Sequence, residues 1–457
     1  VKKRLECFKE YDIRGEIGKN FDDEICYLIG RAFAQVLNTR KVVVGYDARE
    51  SSKPFSDSLI RGLNDQGSDV LELGLCGTEE MYCATNIFQA DGGIQITGSH
   101  NPINYNGLKM VKAGSRPLDK KSEFCAIKNL LKGTFKSKKE TGSIYHYNEN
   151  AKSSYIDKIC ELIGNTKFRP LKVVINSGSG AAGPIVDRIL SRLNLEKKYF
   201  NIVRLFHDPD GRFPGGIPNP LLLENQEVTQ TAVIRENADL GIAFDSDFDR
   251  CFFFDENGEF VKGEYIVGLL AQFFLEKERG AKIIHDARII WNIENIVQQY
   301  GGNSLLSRTG HVFFKQSMRE NNAIYGGELS AHHYFRDFFN CDSGMLPWLL
   351  VCGMMSSTNK PLSKLIDKQR VKFPSSGEYN FRVHEPTEVI TRIIENYSAQ
   401  SKVVTNIDGV SVWTDNWRFN LRKSNTEPLI RLNIEAKNDI MLVDQKLKEI
   451  SSLITGE

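Results

Sequence analysis

Three stretches constrain the fold of this chain more than anything else in it. They are Lys41-Val-Val-Val-Gly-Tyr-Asp-Ala-Arg49, Lys172-Val-Val-Ile-Asn-Ser-Gly-Ser-Gly180 and Lys282-Ile-Ile-His-Asp-Ala-Arg288. Each reads as a strand that is apolar on both faces and then runs into polar residues. That is the pattern of a strand buried inside a sheet covered on both sides. Each also opens a similar run of elements. After the first come a helix around 54–66, a strand at Val70-Leu-Glu-Leu, a helix opened by Gly77-Thr-Glu-Glu, and a strand at Gly92–Ile96. After the second come Ile202–Phe206 and Asp239–Phe244; after the third, Asn303–Ser307 and Ala323–Glu328. The chain therefore reads as three degenerate copies of one α/β unit, with mixed or parallel sheets.

Every copy closes on a strand that feeds a polar loop: Thr97–Asn101, Asp245–Arg250 and Gly327–His332. Open sheets of this kind bind ligands beyond the carboxyl ends of their strands. Three repeats thus offer three loops, and their chemistries differ. Ahead of the first copy, residues 5–16 read as a strand and a turn bearing Tyr11 and Arg14, followed by a helix over 22–37. The lysine-rich stretch 132–139 reads as a solvated turn. The final segment breaks the repeat. Strands are expected at 378–383, 401–405, 409–413, 418–421 and 429–434, with a helix over 441–453, making a smaller and mainly antiparallel α+β domain. The expected domains are 1–147, 148–255, 256–368 and 369–457, since 457 residues exceed one hydrophobic core.

Charge and cysteine usage narrow the partners. There are 59 basic against 58 acidic residues, a net charge of +1, which gives no reason to expect nucleic acid or a membrane surface. Any positive field must be local, as suits a small anion. The apolar runs near 265–275 and 345–355 fall short of the roughly 20 residues needed to cross a bilayer. The N-terminal stretch has no signal-peptide core. Nine scattered cysteines, with no C-x-x-C and no zinc spacing, suit reduced thiols and a cytoplasmic location.

The loops carry the chemistry. Ser99 follows Gly98 and precedes His100, Asn101 and Pro102. Alone it is an ordinary turn serine. Asp245, Asp247 and Asp249 alternate along their loop, which as an extended segment points all three to one side. Two such charges about 4 Å apart repel by roughly 4 kcal/mol at an effective dielectric of 20. Three call for a cation, and oxygen ligands favour Mg²⁺ or Ca²⁺. Solvated aspartates in a turn are the bland alternative. An EF-hand fails because Arg250 stands where that loop needs glycine. Glu328 and Ser330 suit recognition of sugar hydroxyls, whereas His332 and His333 are equally readable as packing residues. Arg422, Ser424, Asn425 and Thr426, with Arg431 on the next strand, form a set of anion donors.

Five motifs in this order, Tyr11-Asp-Ile-Arg-Gly15, Thr97-Gly-Ser-His-Asn-Pro102, Asp245-Ser-Asp-Phe-Asp-Arg250, Gly327-Glu-Leu-Ser-Ala-His332 and Arg422-Lys-Ser-Asn-Thr-Glu-Pro428, resemble the α-D-phosphohexomutase superfamily, and within it the bacterial phosphomannomutases. The resemblance spans essentially the whole chain. It implies four domains around a central cleft. It implies that Ser99, beside His100, is a phosphoserine that passes its phosphoryl group to a hexose monophosphate. A hexose 1,6-bisphosphate then turns around and returns its other phosphate. One Mg²⁺ per chain would sit on Asp245, Asp247, Asp249 and the Ser99 phosphate. Glu328 and Ser330 would read O3 and O4 of the sugar. Arg422, Ser424, Asn425, Thr426 and Arg431 would hold the phosphate that is not reacting. The family pattern also places Tyr11, Arg14, Lys109, Arg250, His311 and His332 at the site, with Lys109 and His311 as acid/base candidates. Arg288 stands where lysine is common; it can hold phosphate but is a poor proton donor. Leu329 replaces a commoner methionine.

The implied activity is interconversion of mannose 6-phosphate and mannose 1-phosphate, feeding GDP-mannose synthesis. Its partners would be small hexose phosphates, with no nucleic acid and no membrane, in a monomer or homodimer. A phosphoglucomutase or dual-specificity enzyme is the alternative within the family. Outside it stand a silent sugar-phosphate-binding paralogue and a metal-dependent phosphatase.

Overall fold

A computed structural model describes residues 4–138, 140–399, 401–423 and 429–456. The chain separates into two compact units: Val1–Phe260 with Asp337–Ser357, and Val261–Arg336 with Thr358–Glu457.

The first unit holds two copies of the repeat. In the first, Lys41–Tyr46 lies between Asp69–Leu75 and Gly92–Ile96, parallel to both. Gly92–Ile96 then pairs antiparallel with Tyr105–Lys112, which pairs antiparallel with Ile13–Glu16. In the second, Leu171–Asn176 lies between Phe200–Leu205 and Leu240–Phe244, again parallel to both. Leu240–Phe244 pairs antiparallel with Cys251–Phe254. The third copy, in the other unit, repeats the plan. Lys282–Asp286 lies between Asn303–Ser307 and Tyr325–Gly327, and Tyr325–Gly327 pairs antiparallel with His333–Phe335.

The shared topology has a direct consequence for the loops. Each polar loop joins the third parallel strand of its copy to an antiparallel partner. Register is held on both sides of it: Ile96 against Leu108, Phe244 against Cys251, and Gly327 against His333. Side chains at the loop tip are thus presented from a hydrogen-bonded base. The middles of the central strands are apolar and closed off from solvent. Val42, Val43, Val44, Val173, Val174, Ile175, Ile283 and Ile284 are all buried, each worth about 1.5–3 kcal/mol.

The C-terminal domain is an antiparallel sheet in the order Ser375–Arg382, Leu429–Ala436, Trp417–Lys423, Val410–Trp413, Val403–Thr405. The helices Pro386–Ser398 and Ile440–Thr455 supply the rest of its core, around Phe419, Leu432 and Ile450.

Four expectations need correction. Residues 4–7 form a short 3-10 turn rather than a strand, which buries Leu5, Cys7 and Phe8 together. Arg14 lies within the strand Ile13–Glu16 rather than in a turn. The second helix begins at Ser52, before Pro54; proline is tolerated there because first-turn amides have no intrahelical partner. The Asp245–Arg250 loop is not extended. It is a tight turn in which the Phe248 amide donates to the Asp245 carbonyl and Phe248 takes a left-handed conformation, φ 46°. Among the described residues no helix is long and apolar enough to cross a membrane.

Candidate active site

In the first unit the serine loop is built from its base. Ser99 takes a positive φ of 45°, a conformation that non-glycine residues avoid. Its amide donates to Thr97 Oγ1 at 2.8 Å, and Thr97 Oγ1 donates to Asp47 Oδ2 at 2.8 Å. The Gly98 amide reaches the same Asp47 oxygen at 3.2 Å. Gly98 is required for close approach: a Cβ there would lie 2.4 Å from Arg49 Nε. So fixed, Ser99 Oγ donates to Asp245 Oδ2 at 2.8 Å and lies 3.1 Å from His100 Nδ1.

The aspartate turn meets the serine from the second domain. Ligand oxygens of Asp245, Asp247 and Asp249 lie within 4.8 Å of one another, and all three residues are buried. They converge because of the turn at Phe248, not because of the two-residue period. Thr78, at the start of the helix Thr78–Ile87, donates through its amide to the Asp247 carbonyl at 3.1 Å and through its hydroxyl to Asp247 Oδ2 at 2.5 Å. Ser246 Oγ donates to the Ser99 carbonyl at 2.9 Å.

Two cations offset the cluster. Arg250 Nε donates to Asp245 Oδ2 at 2.9 Å. Lys109, on the strand Tyr105–Lys112, donates to Asp247 Oδ2 at 2.7 Å and also to Asp249 Oδ2. Burial alone would lower the Lys109 ammonium, but Asp247 and Asp249 outweigh it and hold it above its ordinary value. Burial pushes the Asp245 carboxyl up, against the pull of Arg250, and Asp247 and Asp249 push it further. Three carboxylates against two cations leave a buried negative balance, which is costly without another positive charge. Asp247 Oδ1 is buried with no hydrogen-bond partner among the described residues. The donor set therefore fits a hard divalent cation. Tyr11 and Arg14 are half-buried, and Arg14 stands opposite Gly107 in the neighbouring strand.

The second unit carries the other candidates. Glu328 is buried, and takes a hydrogen bond from Tyr334 Oη at 2.5 Å on Oε1 and from the Gly310 amide at 3.1 Å on Oε2. Ser330 Oγ lies 3.1 Å from His332 Nδ1. His311 opens the helix His311–Asn321, with its Nδ1 3.3 Å from Lys315 Nζ. His333 is a packing residue: it stacks on Tyr325 and takes or gives a 2.7 Å bond with its hydroxyl.

Arg288 is buried and bonds Asp286 Oδ2 at 2.8 Å and Glu378 Oε2 at 2.9 Å. Asp286 Oδ2 also accepts from the Leu329 amide at 2.9 Å, tying that arginine to the loop that carries Glu328 and Ser330. Glu378 further faces Arg422 at 3.4 Å and Arg431 at 3.2 Å. One carboxylate thus gathers three guanidinium groups. Ser424, Asn425 and Thr426 lie outside the described residues.

Sequence reasoning missed Asp47, Arg49, Asp286 and Glu378 as site residues. The first three stood in plain view at the polar ends of buried strands, where a change from apolar to charged residues is itself a signal. Glu378 offered none, because its partners are remote in the chain.

Burial alone would raise the Glu378 carboxyl, but Arg288, Arg431 and Arg422 hold it down to about 2, against an ordinary 4.5. A depressed carboxylate stabilises the fold fully above its unfolded pKa and loses that contribution as pH falls through the folded one. Glu378→Gln is therefore expected to flatten the acid limb of stability between pH 4.5 and about 2 relative to wild type. Denaturant midpoints measured across that range check it; parallel limbs would count against the pairing.

Comparison with known proteins gives four consecutive matches to phosphoglucomutase/phosphomannomutase family models. These are alpha/beta/alpha domain I over residues 5–137, domain II over 153–258, domain III over 262–373, and the C-terminal domain over 378–450. A phosphomannomutase of Escherichia coli strain K12 is 46% identical over 453 residues, covering 99% of each chain. A relative from Xanthomonas campestris pv. campestris strain B100, described as phosphohexose mutases, is 44% identical over 99% of this chain and 100% of its own. The crystal structure of a phosphoglucomutase/phosphomannomutase family protein from Burkholderia thailandensis superposes with a TM-score of 0.87 at 29% identity, covering 99% of this chain and 98% of that one.

Proposed function

This chain belongs to the phosphoglucomutase/phosphomannomutase family, and on that premise we propose that it is a phosphomannomutase. It interconverts mannose 6-phosphate and mannose 1-phosphate through a phosphoserine at Ser99 and a hexose 1,6-bisphosphate. The supporting observation is Ser99 Oγ hydrogen-bonded to Asp245 within three buried carboxylates. The sugar assignment rests on the full-length relatives named phosphomannomutase.

Asp245, Asp247 and Asp249 would hold the divalent cation, Mg²⁺ by the hardness of an all-oxygen set. When bound, it neutralises phosphoryl oxygens as the group is transferred. The residues of this chain supply the rest. From the phosphorylated enzyme, the O1 hydroxyl of mannose 6-phosphate attacks phosphorus. The bond from phosphorus to Ser99 Oγ breaks, the hydroxyl proton leaves O1, and Ser99 regains a proton. The resulting 1,6-bisphosphate turns around. Ser99 Oγ attacks the phosphorus on O6 and loses its proton, the bond from phosphorus to O6 breaks, and O6 is protonated as mannose 1-phosphate forms.

Lys109, on the strand that follows the serine loop, is assigned as the proton carrier to Ser99, and His311 takes the proton of the sugar hydroxyl. Arg250 orients Asp245. Tyr11, Arg14 and His100 flank the serine in this assignment. Glu328 and Ser330 read sugar hydroxyls, with His332 positioning Ser330. Arg288, Arg422 and Arg431, with Ser424, Asn425 and Thr426, take the phosphate that is not reacting. The cytoplasm is the location this reading implies, since hexose phosphates are its substrates.

The 44% identical phosphohexose mutases favour a second reading, activity on both sugars. A coupled mutase assay comparing mannose 1-phosphate with glucose 1-phosphate, with and without added hexose 1,6-bisphosphate, separates the two. A preference for the mannose substrate of at least about tenfold in kcat/KM is expected, equivalent to roughly 1.4 kcal/mol of transition-state discrimination. Equal efficiency would defeat the mannose assignment. Release of inorganic phosphate without isomerisation would replace the mutase by a phosphatase.

A further inference from the structure

We propose that Arg49 is the positioning residue of the Ser99 loop, holding the nucleophile in its unfavourable backbone conformation by clamping the carbonyl groups around it. This rests on the reading of Ser99 as the phosphoryl carrier. Arg49 is 2% exposed. Its guanidinium donates to the carbonyl oxygens of Ser99 at 2.7 Å, Asn101 at 2.6 Å, Pro102 at 3.0 Å and Tyr105 at 3.2 Å. Its Nε faces Asp47 Oδ2 at 3.6 Å. One planar fork thus ties the nucleophile's own peptide group to the far end of its loop.

Electrostatics explains why a guanidinium is needed. Carbonyl oxygens converging on one buried point repel one another unless a cation sits between them. An ammonium is a compact charge with three donors and cannot reproduce a planar fork with five. Ser99 has φ 45°, which residues with a side chain leave unless their surroundings hold them there. Relaxation of that peptide would swing Oγ away from Asp245, now 2.8 Å away. Asp47 works with Arg49 from the near end of the loop, through Thr97 Oγ1 and the Gly98 amide.

The second domain closes over the clamp. Phe213 places its ring 5.4 Å from the Arg49 guanidinium carbon, and a Cβ on Gly211 would meet the Ala48 carbonyl at 2.3 Å. The guanidinium is thereby covered, and its bond to the Ser99 carbonyl is buried. Arg49 hydrogen-bonds the loop carbonyls and none of the three metal-site carboxylates, of which Asp247 interacts with it through charge alone, so its geometric hold on the reaction passes through the loop backbone.

The test compares full-length wild type with Arg49→Lys and Arg49→Met. Both kcat and KM for mannose 1-phosphate are measured, together with hydrogen exchange of the amides between residues 97 and 105. Misplacing a reacting atom by about 1 Å costs on the order of 10²-fold in rate. Arg49→Lys is expected to lower kcat by about that factor with KM within about threefold, and to speed exchange only within the loop. Arg49→Met should lose more, with methylguanidinium restoring part of kcat. Wild-type kcat in Arg49→Lys with unchanged loop exchange would overturn the proposal. Exchange accelerated across the whole domain would also overturn it, making Arg49 a general scaffold residue. A wild-type enzyme inactive on every hexose phosphate would sink the mutase reading instead, and loop exchange would still decide whether Arg49 holds the loop.

Discussion

Ser99→Ala is expected to abolish mutase turnover, a loss on the order of 10⁴-fold or more in kcat, as befits removal of the atom that carries the transferred group. The substitution deletes only Oγ. It leaves untouched the Asp47 and Arg49 bonds to the loop, which engage the Gly98 amide and the Ser99 carbonyl. The fold should therefore survive. Sugar-phosphate affinity should survive too, because Glu328, Arg422 and Arg431 keep their own supports. Isothermal titration with mannose 1-phosphate beside a coupled rate assay separates the two effects. Turnover in the alanine variant would end the phosphoserine mechanism.

The second large effect concerns the buried aspartates. Exhaustive chelation is expected to reduce turnover by about 10³-fold or more, with Mg²⁺ restoring it, and Asp247→Asn should respond to no concentration of the ion. Asp247 is the informative choice. One of its oxygens is engaged by Thr78 and Lys109, while Oδ1 has no hydrogen-bond partner among the described residues. An amide keeps the size and removes the charge. Its oxygen can keep the Thr78 and Lys109 bonds, while its NH2 group takes the place of Oδ1 and turns a donor toward the position a cation would occupy. Binding of Mn²⁺ by electron paramagnetic resonance reports the site without reference to rate. Full activity after chelation, or wild-type Mn²⁺ affinity in Asp247→Asn, would remove the cation from the scheme.

Much of the fold was legible in local pattern. The three apolar strands, their polar ends and the break after the third repeat follow from hydrophobic periodicity, which depends only on neighbours in the chain. The residue types of the loops were legible for the same reason: a serine after glycine, three alternating aspartates, and an arginine followed by Ser-Asn-Thr are each written within a few residues. Errors arose where geometry did not follow period. The aspartates converge through a left-handed turn at Phe248, a conformation that no alternation rule anticipates. Leu5, Cys7 and Phe8 looked like a strand, yet they bury best in a short 3-10 turn.

By itself, then, the sequence determined the kinds of groups this protein brings to its chemistry, and their order along the chain. Only the tertiary structure decided which group acts on which. Arg49 grips the Ser99 carbonyl across 50 positions, Lys109 pairs with Asp247 across 138, and Arg288 meets Glu378 across 90. Such pairings depend on how strands are ordered in a sheet and where hairpins close. They are held by buried charges and backbone carbonyls, whose strength comes from low dielectric surroundings that exist only once the chain has folded.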